Sequence, residues 1–110
     1  MQFRTENIES DIAVIMGQGR LNMVSAPALR GIVDTAITGG RSRIVVDLSG
    51  VDFMDSSGLG ALIGCLKTAR AAGGDLRITA PTKQVAMVLK LSNLDRVLPT
   101  YDLAAKAYSA

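Results

Sequence analysis

An apolar run that ends in an acid, two hydroxyls and two glycines constrains this chain more than any other feature. Ile44-Val45-Val46-Asp47-Leu48 reads as a buried strand, and Leu59 to Arg70 carries the apolar periodicity of a helix. Between them lies Val51-Asp52-Phe53-Met54-Asp55-Ser56-Ser57-Gly58-Leu59-Gly60. The short side-chain oxygens of Asp55 and Ser56 suit a helix N-cap, where they can accept the orphan amides of a first turn. Gly58 and Gly60 carry no Cβ, so another surface can approach their backbone closely. A hydroxyl is therefore expected at the positive end of a helix, at the C-terminal edge of a sheet. Open α/β sheets usually bind their ligands at that edge.

The flanking elements extend this strand–helix unit. Phe3 to Ile8 alternates loosely, as an edge strand does. Asp11 to Gly17 alternates better, with Ile12, Val14 and Met16 on one face and Ala13 and Ile15 on the other. The polar link Glu9-Ser10 makes the two a hairpin, and Gly17-Gln18-Gly19-Arg20 breaks the second strand. Ser25 is the expected N-cap of a first helix, with Pro27 tolerated in its first turn. Leu29, Ile32, Val33, Ala36 and Ile37 form its apolar stripe, and Gly39-Gly40 ends it.

The central strand, Arg43 to Leu48, has the continuous apolar run of a strand buried on both faces. The second helix is expected over Ser57 to Ala72, with Leu59, Leu62, Ile63, Leu66 and Ala69 inward and Gly60 and Gly64 packed closely on the sheet. Asp75 to Thr79 reads as a strand, and strand–helix–strand connections of this kind are right-handed. Pro81-Thr82 opens a third helix with Val85, Val88, Leu89 and Leu91 inward. Arg96-Val97-Leu98 reads as a last short strand closed by Pro99. Asp102 caps a final helix through Tyr108, docked by Leu103, Ala107 and Tyr108. The expected architecture is one α/β domain over residues 1–110, a mixed sheet of four to five strands with about four helices.

Composition removes several function classes. The chain has no histidine and a single cysteine, Cys65. A Ser-His-Asp triad, a Cys-His pair and His- or Cys-rich metal sites are thereby excluded. Cys65 cannot form an internal disulfide, which suits a reducing cytoplasm, and its place among inward helix positions makes it a small buried hydrophobe. A net charge of +2 with no Lys/Arg block does not point to nucleic acid. No apolar run reaches the roughly 18 residues of a membrane span, and the N-terminus has no signal core. Gly58, Gly60 and Gly64 loosely match a dinucleotide fingerprint. That fingerprint belongs after a first strand, and about half of this chain precedes it here. Asp47, Asp52 and Asp55 are better read as loop and cap residues than as a catalytic pair or metal site.

Asp55-Ser56-Ser57-Gly58-Leu59-Gly60, preceded by Phe53-Met54, resembles the signature of bacterial anti-sigma factor antagonists, the single-domain STAS proteins. Gly19-Arg20-Leu21-Asn22, Ile44 to Leu48 and Gly73-Gly74-Asp75-Leu76 carry the resemblance over nearly the whole chain. It implies a STAS-like mixed sheet and no enzymatic activity or cofactor. It implies a cytoplasmic protein that binds an anti-sigma factor with serine kinase activity, and so frees a sigma factor. The kinase then phosphorylates the serine directly after the signature Asp, which here is Ser56, with Ser57 as the alternative acceptor, and a PP2C-type phosphatase reverses the step. Read from the residues themselves, Met23, Val24, Met54 and Leu59 are either ordinary core or an apolar rim around Ser56 that serves as an interface patch. With Asn22, Asp55, Ser57 and Gly58 they make up the expected partner surface, neither nucleic acid nor membrane being a partner. Asn22 stands where the family usually has an acid, keeping the hydrogen-bonding oxygen without the charge. The alternative the resemblance leaves is a STAS interaction subunit of a transporter or stressosome-like assembly.

Overall fold

The computed structural model describes residues 1–101 and 107–108. β1 (Gln2–Glu9) and β2 (Ile12–Leu21) form the expected antiparallel hairpin. α1 (Ala26–Thr38), β3 (Arg43–Met54), α2 (Ser56–Ala71), β4 (Asp75–Thr79), α3 (Lys83–Leu91) and β5 (Thr100–Tyr101) follow. The strands lie in the order β1-β2-β3-β4-β5. β2 to β5 are parallel, and only β1 runs against its neighbour. This is the mixed sheet the strand and helix periodicities predict.

Alternation along β2 sorts the core into two layers. Ala13 and Ile15 join Ile44, Val46 and Leu48 beneath the stripes of all three helices. Ile12, Val14 and Val45 face the other way and meet Ala107. The hydroxyl of Tyr108 donates to the Ile44 carbonyl at 2.8 Å, and the Arg77 guanidinium lies 4.3 Å over its ring. β3 is thus covered on both faces, which is why its sequence is continuously apolar. The inward stripes of α1 and α2 are as expected: Leu29, Val33, Leu62, Leu66 and Ala69 are buried. Cys65 is buried as well, and desolvation pushes its thiol up to about 11.

Several boundaries differ from the sequence reading, each for a physical reason. β2 does not stop at Gly17 but continues to Leu21, because two register shifts against β3 absorb the glycine-rich stretch. Gly19 sits there at φ +113°, a conformation open to glycine. β3 likewise runs past Leu48 to Met54, keeping step with β2, and Asp47 accepts the Ser49 amide at 2.9 Å. Gly60 and Gly64 do not mediate close packing on the sheet: a Cβ at Gly60 would meet open space, and one at Gly64 only the Arg30 side chain of α1. Leu91 is 78% exposed, since it falls past the buried Val85–Leu89 stripe of α3. The strand expected at Arg96-Val97-Leu98 is instead a 3-10 turn over Leu94–Arg96, and the last strand begins after Pro99. The expected helix from Asp102, with Leu103, lies outside the described residues, apart from Ala107 and Tyr108.

Leu62 lies at the centre of the helix–sheet layer with no exposed surface. Leu62→Ala is expected to destabilise the domain by about 2–5 kcal/mol, as lost transfer energy and a residual cavity add. Urea denaturation of both proteins checks this, and an unchanged midpoint would refute the assignment.

Candidate functional site

The ends of β2 and β3 lie side by side, Leu21 opposite Met54. One residue further, the Asp55 amide donates to the Leu21 carbonyl at 3.3 Å, and the chain turns into α2. Asp55 is the N-cap in an extended conformation, and its Oδ1 accepts the Gly58 amide at 3.0 Å. This is the cap expected of a short acidic side chain. Ser56 is therefore not the cap but the first helical residue, with its side chain exposed. Ser57 follows half-buried.

The turn from β2 into α1 forms the neighbouring wall. Asn22 Oδ1 accepts the amides of Val24 at 3.0 Å and Ser25 at 3.3 Å, so the asparagine closes an Asx turn. Ser25 occupies the N-cap position of α1 but does not cap it. Its hydroxyl points back instead, accepting the Asn22 amide at 2.9 Å and donating to the Arg20 carbonyl at 2.7 Å. The turn holds Met23 and Val24 out, 73% and 84% exposed. Large apolar side chains held open beside a fixed helix start suit a protein partner.

α3 supports the site from beneath. The Gln84 side chain accepts the Met54 amide at 2.8 Å and donates to the Met54 carbonyl at 3.1 Å. It thereby substitutes for the next residue of a paired strand at the end of β3. Thr82 Oγ1 donates to the Val51 carbonyl at 2.8 Å. Nothing in the local spacing signals these contacts.

Of the residues assigned to the partner surface, Asn22, Met23, Val24, Asp55, Ser56 and Ser57 gather at this edge. Met54 does not join the rim: it is 1% exposed and belongs to the core. Gly58 is buried, and what approaches its backbone is the chain's own Leu21. A Cβ there would collide with the Leu21 carbonyl oxygen and lie 2.9 Å from its Cγ. Leu59 is half-buried against the core. The sequence reading did not foresee that Arg20 and Phe53 pair across β2 and β3, with the guanidinium 4.6 Å over the ring. Extending β2 through its glycines would have brought them together. Among the described residues no three Asp, Glu or Cys side chains cluster as metal ligands. What remains is an exposed hydroxyl on a rigid helix start, with an apolar turn beside it.

The family model described as the STAS domain matches residues 4–107. The anti-sigma-B factor antagonist of Bacillus subtilis is 32% identical over 100 residues, covering 90% of this chain and 86% of its own. The crystal structure of a candidate anti-sigma factor antagonist from Thermotoga maritima superposes with a TM-score of 0.85 at 31% identity, over 96% of this chain and 90% of that one. The Bacillus cell fate determinant SpoIIAA, solved in its phosphorylated form, gives a TM-score of 0.75 at 25% identity over 96% of both chains.

The Gly58 contact sets two effects against each other. Gly58→Ala improves helix propensity by roughly 0.8–1.0 kcal/mol. It also forces a methyl into the Leu21 backbone, and relieving the clash would strain the Asp55–Leu21 hydrogen bond. Overpacking of this kind typically costs about 1–3 kcal/mol, so net destabilisation is expected. Thermal melting decides the sign, and a stabilised variant would contradict the contact. Asn22→Asp should retain the turn, while Asn22→Ala should lose about 1 kcal/mol with its hydrogen bonds.

Proposed function

The chain belongs to the STAS domain family, and on that premise we propose that it is an anti-sigma factor antagonist working by partner switching at Ser56. In this reading the unmodified protein binds an anti-sigma factor that is also a serine kinase, through the edge formed by Met23, Val24 and the start of α2. Phosphate moves from ATP to the Ser56 hydroxyl, and the complex separates. A PP2C-type phosphatase restores the serine. The chain acts as a cytoplasmic binding protein and substrate, with no catalysis of its own. Nothing in the site favours the alternative of a subunit in a transporter or stressosome-like assembly.

The carrying observation is the exposure of Ser56 at the first position of α2 beside two exposed apolar side chains. The relatives named as anti-sigma factor antagonists and the phosphorylated SpoIIAA neighbour support it. Magnitudes separate what a phosphate does to the fold from what it does to the complex. A phosphoserine brings about −1.5 to −2 charge. At a helix N-terminus a negative group gains about 0.3–1 kcal/mol from the first amides and the dipole, so the fold tolerates it. Buried against Met23 and Val24 in a complex, the same charge loses its hydration at a cost of several kcal/mol unless a cation meets it. The interface therefore yields and the domain does not.

Mass-spectrometric site mapping after incubation with the cognate kinase and ATP should place the phosphate on Ser56. Ser56→Ala should bind the partner and resist release by ATP. Ser56→Asp should fold with a melting temperature no lower than that of the wild type yet bind at least tenfold more weakly. Phosphate on Ser57 alone, or full affinity in Ser56→Asp, would overturn the assignment.

A further inference from the structure

Strand β1 is an open edge. Among the described residues no strand pairs with its outer side, and every residue of it except Phe3 is exposed. The edge at the other end of the sheet is the two-residue β5. The outward-facing backbone groups of this eight-residue strand form a template for a further strand. Natural edges are commonly guarded by like charge, which makes a strand repel its own copy. β1 carries the opposite arrangement. Arg4 and Glu6 flank Thr5 symmetrically on one face, the face of Met16 and Val14.

We propose that two copies of this chain pair antiparallel through β1 about a two-fold axis at Thr5, joining their sheets into one. In that register Thr5 faces its own counterpart. Arg4 stands opposite Glu6 of the second copy, and Glu6 opposite its Arg4, so one contact supplies two cross-strand ion pairs. A shift of the axis by one residue in either direction places Arg4 or Glu6 against itself. Charge thus selects both the occupant and the register.

The helix face of the same edge is shaped for this arrangement. A groove of about 690 Å³ runs between β1 and α1, lined by Thr5, Asn7, Ala28, Gly31, Ile32 and Thr35 among others. Gly31 lies in the middle of α1, where glycine weakens a helix. A Cβ at this position would meet nothing within 4 Å, so the fold of one chain gives no reason for it. Pairing at β1 brings the two α1 helices towards each other across the axis. Small residues at Ala28 and Gly31 then allow close approach, and the half-buried Ile32 becomes covered. Ser56 lies outside both the strand and the groove, so the pairing is independent of the switch proposed there.

Light scattering and sedimentation of the full chain test the pairing, with melting curves as fold controls. The wild-type protein should run at twice the chain mass. Arg4→Glu and Glu6→Arg should each weaken the dimer by on the order of tenfold, because each replaces two attractive pairs by two repulsive ones. The double swap, Arg4→Glu with Glu6→Arg, should restore it. Gly31→Leu should melt no lower than wild type yet shift to the monomer. Thr5→Cys should form a disulfide between copies on mild oxidation, since facing residues of an antiparallel pair lie within bridging distance and Cys65 is buried. A monomeric wild type, a dimer indifferent to the single swaps, or a double swap that fails to rescue would each overturn the proposal.

Discussion

The carbonyl of Leu21 is the point on which the functional edge depends. It accepts the Asp55 amide, and the backbone of Gly58 rests against it. One contact therefore sets the end of β2, the end of β3 and the start of α2 in a fixed relation. A side chain at position 58 would hold α2 away from Leu21, and the exposed Ser56 would move with the helix. The Asx turn at Asn22 begins one residue later, so Met23 and Val24 are placed by the same piece of backbone. Exposure of the hydroxyl and of its apolar neighbours has a single structural origin.

Much of this was legible in the sequence because burial leaves a period. The stripes of α1 and α2 and the alternation along β2 reflect which side chains face the sheet, and the structure follows them. The acid–hydroxyl–glycine run was legible as a helix start because capping needs particular atoms at particular positions. Placing the cap on Asp55 alone was not, since Asp55 and Ser56 are both competent and only the backbone path past Leu21 decides between them.

The misread residues share a cause, which is contact between elements distant in sequence. Gly58 looked like a concession to an outside partner, because a glycine records that something approaches but not what. Met54 looked like rim because it stands next to the capping acid and the two serines in the chain, while its side chain follows the strand pleat into the core. The glycines of β2 looked like a stop, although pairing with β3 carries a strand through bulges that local propensity disfavours. Leu91 has the apolar character of its stripe but lies beyond the sheet that would cover it.

The grip of Gln84 on both backbone groups of Met54 spans thirty positions of chain. The hexapeptide that identifies the site carries its own cap but not the Leu21, Asn22 and Gln84 contacts that hold that cap in place. A short synthetic peptide with the same Asp-Ser-Ser-Gly-Leu-Gly order would present its serine on a free, disordered backbone, without the capped helix start, the Asn22 turn or the support of α3. Recognition that reads this geometry therefore reads the finished domain, and a linear motif alone is a poor imitation of it.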